Sequence, residues 1–96
     1  MVYSIDIDNT ICTDTNGQYH FARPMRDRIE KVNRLFDEGH TIILETGRHW
    51  NNLPMTVQQL HTWGVKYHTL VMGKVPADIK VDDKAIDDVS FFRGML

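Results

Sequence analysis

The chain has 96 residues, 42% of them hydrophobic and 25% charged, and a formal net charge of -2. These values predict one small domain over 1–96 with a single sheet and a few helices, and they exclude a strongly basic footprint for nucleic acid or an anionic membrane. The lone cysteine, Cys12, rules out an internal disulfide, no apolar run approaches the roughly 20 residues of a membrane helix, and the start lacks a signal-like leader, so a cytoplasmic protein with no membrane partner is expected.

Residues 2–7 predict a first strand, with Val2, Tyr3, Ile5 and Ile7 as β-formers. Residues 10–23 predict a loop or short hairpin. Asp14-Thr15-Asn16-Gly17 has turn chemistry, and residues 18–21 could return as a short strand. Pro24 suits a helix start, and Met25, Ile29, Val32, Leu35 and Phe36 follow at helical spacing up to a stop at Gly39. Residues 41–44 predict a second strand, ended by Thr46-Gly47-Arg48.

Asn51 or Asn52 can cap a second helix carrying Pro54 near its start, an apolar side of Leu53, Val57 and Leu60, and a stop at Gly64. A third strand is expected within 65–72 and a fourth over 79–81, running into Asp82-Asp83. Phe91 and Phe92 are expected to pack a terminal segment on the core. This alternation predicts an α/β fold with a parallel sheet, ordered 4-1-2-3, and crossover helices. The carboxyl ends of its strands would bring Asp6, Asp8, Thr46, Asp82 and Asp83 to one edge, where such sheets bind ligands.

The acidic pair in Asp6-Ile7-Asp8-Asn9-Thr10 is costly at the end of a buried strand unless compensated. A hard cation such as magnesium compensates it and offsets charge on a phosphoryl group. One carboxylate can then attack phosphorus while its neighbour moves protons. Alone, an Asp-x-Asp pair reads first as a turn or helix cap. A calcium loop is excluded, because the required sixth and twelfth places hold Ile11 and Gly17 counting from Asp6, and Tyr19 and Met25 counting from Asp14.

Thr46 and the backbone around Gly47 can donate to a phosphate, and Arg48 could add a bidentate contact, although Thr-Gly-Arg by itself is an ordinary turn. Lys74, beside Gly73, could reach a phosphate and help keep Asp6 ionised; a lone lysine is otherwise simply solvated. Asp82-Asp83 could complete a metal site or belong to a solvated, charged loop.

Taken in order, Asp6/Asp8/Thr10, Thr46, Lys74 and Asp82/Asp83 resemble the four motifs of the haloacid-dehalogenase-like (HAD) phosphohydrolases, over nearly the whole chain. The segments around Asp6–Cys12, Gly17-Gln18-Tyr19 with Ala22-Arg23-Pro24, and residues 73–86 are similar to the small capsule-biosynthesis phosphatases within them. The resemblance implies a Rossmann-like core without a cap domain, and a Mg²⁺-dependent phosphatase acting on a sugar phosphate or related metabolite. It implies Asp6 as nucleophile and metal ligand, and Asp8 as general acid/base lending its carbonyl to the metal. Thr46 and Lys74 would hold the phosphoryl group, with Asp82 on the metal and Asp83 assisting directly or through water.

A capless site is open, so a hairpin flap over 13–20, a second subunit or the bulk of the substrate is expected to exclude water. Two other readings are a polynucleotide-end phosphatase, which the charge does not favour, and a non-catalytic phospho-binding or assembly module. The five histidines show no metal-ligand spacing. His20 could sit over the site and His49 line it, although a surface position is the favoured reading of each. Cys12 is expected to pack beneath the loop, and Trp50 and Trp63 to serve packing.

Overall fold

A computed structural model of the chain describes residues 1–74 and 86–93. Three strands, β1 (Val2–Asp6), β2 (Thr41–Glu45) and β3 (Thr69–Val71), form a parallel sheet in the order β1-β2-β3. Helices α1 (Arg26–Asp37), α2 (Leu53–Thr62) and α3 (Asp88–Arg93) accompany it. The expected fourth strand over 79–81 lies outside the described residues. Among the described residues no helix is long and apolar enough to cross a membrane.

Apolar residues alternate to the core along the sheet. Ile5 and Ile7 from the first strand region, and Ile42 and Leu44 from β2, are buried with Ile29 and Val32 of α1. Helix α1 stops at Gly39, whose φ of +94° suits glycine. There Gly39 N–H donates to the Phe36 carbonyl and His40 N–H to that of Leu35, a glycine-type helix terminus. Just before β3, His68 extends the pairing to β2. Its N–H donates to the Ile42 carbonyl at 2.9 Å, while its ring Nδ1 accepts from Ile42 N–H at 3.0 Å.

Phe92 of α3 is buried and Phe91 packs beside it, as expected. Cations of α1 hold this segment. Arg28 lies over the Phe92 ring and Lys31 over that of Phe91, and Arg28 also pairs with Asp88 at 3.1 Å.

Three expectations are corrected. Residues 18–21 do not return as a strand: Tyr19–Phe21 form a 3-10 turn. The Asn16 and Gly17 turn is present, with φ of 52° and 91°, but only its base is paired. Thr13 N–H donates to the Arg23 carbonyl and Met25 N–H to that of Ile11, so the flap is a closed loop rather than a hairpin. The exposed His20 and Phe21 rings lie against each other, tilted by 41° with centres 4.1 Å apart.

The second correction concerns α2. Its buried residues are Thr56 and Leu60, followed by Trp63, whereas Leu53 and Val57 are each 41% exposed. The helix is turned about one residue from the apolar stripe, which brings Thr56 and Gln59 inward to acceptor roles described below. Trp50 is likewise exposed rather than packed.

Candidate active site at the carboxyl edge of the sheet

The register sets the site. Asp6 lies beside Glu45 across β1 and β2, and Glu45 beside Val71 across β2 and β3. Backbone bonds extend this ladder beyond the strands, from Ile7 N–H to the Glu45 carbonyl and from Thr46 N–H to the Val71 carbonyl. The chain after β3 then folds back: Gly73 N–H donates to the Arg48 carbonyl at 2.8 Å and Lys74 N–H to that of Thr46 at 3.0 Å. These two bonds fix Lys74 at the edge where β1 ends.

There Lys74 Nζ lies 2.7 Å from Asp6 Oδ1 and 3.5 Å from Glu45 Oε2. The hydrogen bond to Asp6, with the Asp6 and Glu45 charges, holds the Lys74 ammonium above its ordinary value. Lysine is therefore a cation throughout the neutral range. The stability this pairing contributes is fully present below the ordinary 10.5 and is lost as pH rises through the folded value.

After β1 the chain turns tightly. The Ile7 carbonyl accepts from the N–H groups of Thr10, Ile11 and Cys12, and Asn9 takes a φ of 60°, which asparagine tolerates. This turn aims Asp8 at the β2 terminus. Thr46 Oγ1 donates to Asp8 Oδ2 at 3.0 Å. Arg48 grips the same carboxylate, with Nη2 to Oδ1 at 2.8 Å and Nε to Oδ2 at 3.1 Å. The Asp8 side chain keeps 23% exposure, while that of Arg48 is fully buried.

The expected bidentate contact of Arg48 thus goes to Asp8, and none of the guanidinium faces an open surface. A buried cation needs acceptors for its other N–H groups. Nη1 donates to Thr56 Oγ1 at 3.1 Å and Gln59 Oε1 at 2.6 Å, and the guanidinium lies 4.4 Å from the centre of the Tyr19 ring. This is the reason α2 turns Thr56 and Gln59 inward.

Of the other expected site residues, Gly47 is exposed, and a side chain there would meet the Lys74 carbonyl at 3.5 Å. Thr10 is tied in through its backbone, its carbonyl accepting from Arg28 at 2.9 Å. Asp82 and Asp83 lie outside the described residues. His20 and His49 are exposed, and His49 Nδ1 accepts from Asn51 N–H as a cap. Sequence reasoning missed Glu45, Thr56, Gln59 and Tyr19. Glu45 could have been found, since it directly precedes Thr46 at the same strand end.

Cys12 is buried with its Sγ 3.8 Å from Asp8 Oδ1. Burial, and then the Asp8 charge, push its thiol from 9.0 up to about 12. A thiol whose folded value is raised is the neutral form through the mildly alkaline range. It contributes stability fully present below 9.0 that declines as pH rises towards about 12. Iodoacetamide at pH 8.5 is expected to leave Cys12 unmodified in the folded chain and to label it completely in urea, read by intact mass. Rapid labelling of the folded chain would contradict the packing described here.

No family model matches this sequence. No curated protein matches it either. The chain is similar to a solved crystal structure from Vibrio cholerae, a structural-genomics target, with 22% identity, a TM-score of 0.83, and coverage of 95% of this chain and 86% of that one. At that identity the likeness shows the fold alone: a small α/β domain with parallel strands and helices.

Proposed function

We propose that the protein is a phosphomonoester hydrolase of the HAD type, working through an aspartyl-phosphate on Asp6. The observation that carries this reading is the Lys74–Asp6 pair at 2.7 Å, on the sheet edge that also holds Asp8 and Thr46. A carboxylate nucleophile needs a nearby cation to tolerate an incoming dianion, and Lys74 supplies it. In the reaction Asp6 attacks phosphorus in line with the leaving oxygen. Lys74 holds the transferring group, joined by Thr46 once its hydroxyl turns from Asp8 to a phosphoryl oxygen. The Asp8 carboxyl in its acid form gives its proton to the leaving oxygen, becomes the carboxylate that Arg48 grips, and later takes a proton from water.

The donor chemistry suits magnesium. Asp6 offers a carboxylate, and the Asp8 carbonyl accepts no hydrogen bond among the described residues. Asp82 and Asp83 are the further oxygen donors this reading assigns, although no group of three His, Cys, Asp or Glu side chains converges among the described residues. When bound, the ion would neutralise charge on the phosphoryl oxygens.

The substrate class is a sugar phosphate or related metabolite. The net charge of -2 offers little for a polynucleotide backbone. The test is phosphate release from a panel of sugar phosphates and p-nitrophenyl phosphate. Turnover is expected to require Mg²⁺, to stop with EDTA and to return when Mg²⁺ is restored. A folded chain that turns over no member of the panel with Mg²⁺ present would overturn the reading.

A further inference from the structure

The Arg48 network reaches past the residues that the proposed reaction uses. Gln59 stands at its centre. Its Oε1 accepts from Arg48 Nη1 at 2.6 Å, and its Nε2 donates to the Tyr19 carbonyl at 2.6 Å. The Tyr19 ring meanwhile lies 4.4 Å from the Arg48 guanidinium carbon. Tyr19 belongs to the loop closed by the Thr13–Arg23 backbone bond, so loop, helix α2 and the turn after β1 meet at one guanidinium.

A guanidinium is planar and rigid, and its orientation is set by whatever holds its far edge. Here that edge is held by Gln59 and Thr56, and one face by Tyr19. The near edge, Nε and Nη2, then presents to Asp8 in a single orientation.

We infer that Gln59 and Tyr19 are positioning residues for Asp8, acting through Arg48 to aim its carboxyl group at the leaving oxygen. The inference rests on the proposed phosphatase reading. In the step concerned, the bond between phosphorus and the leaving oxygen breaks as the bond to Asp6 forms, and the acid form of Asp8 passes its proton to that oxygen, leaving the carboxylate that Arg48 holds in the structure. An alkyl phosphate needs this proton because an alkoxide is a poor leaving group. p-Nitrophenyl phosphate needs it far less, because p-nitrophenolate is stable without it.

Gln59→Met fills the same space but neither accepts from Arg48 nor donates to Tyr19. The measurement is kcat/KM, which reports the first phosphoryl transfer, for an alkyl phosphate relative to p-nitrophenyl phosphate. This ratio is expected to fall about tenfold or more in Gln59→Met, in line with the sensitivity of proton transfer to small misplacements. A partly unfolded variant loses both activities equally, so the ratio is blind to folding. Gln58→Met, the same change at an exposed neighbour, serves as the control. Tyr19→Ala is expected to lower the ratio and Tyr19→Phe to restore it, since the contact is made by the ring.

An unchanged or raised ratio in Gln59→Met would overturn the inference while leaving the reaction standing, provided the wild type turns over both esters and Asp6→Asn neither. A wild type inactive on both would bring down the reaction and the inference together.

Discussion

Replacing Asp6 with asparagine is expected to lower turnover of every phosphate ester by at least about a thousandfold, as removal of a nucleophile does elsewhere. The fold should survive it. The Asp6 side chain is 48% exposed, so its pair with Lys74 contributes at most about 1 kcal/mol in a partly screened setting. An amide oxygen can still accept from Lys74, but it is a poor nucleophile and cannot carry the phosphoryl group as an acyl phosphate. Circular dichroism and urea unfolding should therefore match the wild type closely while phosphate release disappears. Residual turnover above a few per cent would place the nucleophile elsewhere.

The second large effect is expected at Arg48. Its side chain is fully buried, and it is held by Asp8, Thr56, Gln59 and the Tyr19 ring. Arg48→Met keeps the stem but leaves the Asp8 carboxylate without its cation and two polar side chains of α2 without their donor. Breaking a buried ion pair on one side typically costs about 3–5 kcal/mol. The lower end applies here, because Asp8 retains 23% exposure and can recruit water. For a domain of this size that is a large share of the total stability. The urea midpoint should drop sharply, and Mg²⁺-dependent turnover should fall with it. A midpoint within experimental error of the wild type would show that the network carries little energy.

The contrast between these two residues marks what the sequence makes legible. The order of the elements, and polar residues at the ends of apolar runs, are enough to bring Asp6, Asp8, Thr46 and Lys74 to one sheet edge. Parallel strands impose that edge. The sequence does not show which of several cations lies beside Asp6 and which beside Asp8. Arg48 follows a strand end, as a phosphate-binding residue would, yet tertiary packing turns it inward to Asp8.

The same packing explains the misjudged face of α2. Leu53, Val57 and Leu60 form a legitimate helical stripe, and hydrophobicity alone favours it. A buried guanidinium demands acceptors, however, and Thr56 and Gln59 supply them at i, i+3 spacing. Hydrophobic periodicity gives no weight to a polar residue that is buried because its partner is charged. The loop over 13–23 illustrates a related limit. Its turn residues were readable, but a return strand needs pairing beyond the Thr13–Arg23 and Ile11–Met25 bonds, and the described residues 19–21 take a 3-10 turn instead.

The most direct measurement is acid quenching of the protein during steady-state turnover, followed by borohydride reduction and peptide mapping by mass spectrometry. An acyl phosphate on Asp6 would be reduced there to homoserine, and that is the predicted result, appearing only with substrate and Mg²⁺. Turnover with residue 6 unmodified, or with the label on another residue, would contradict the account.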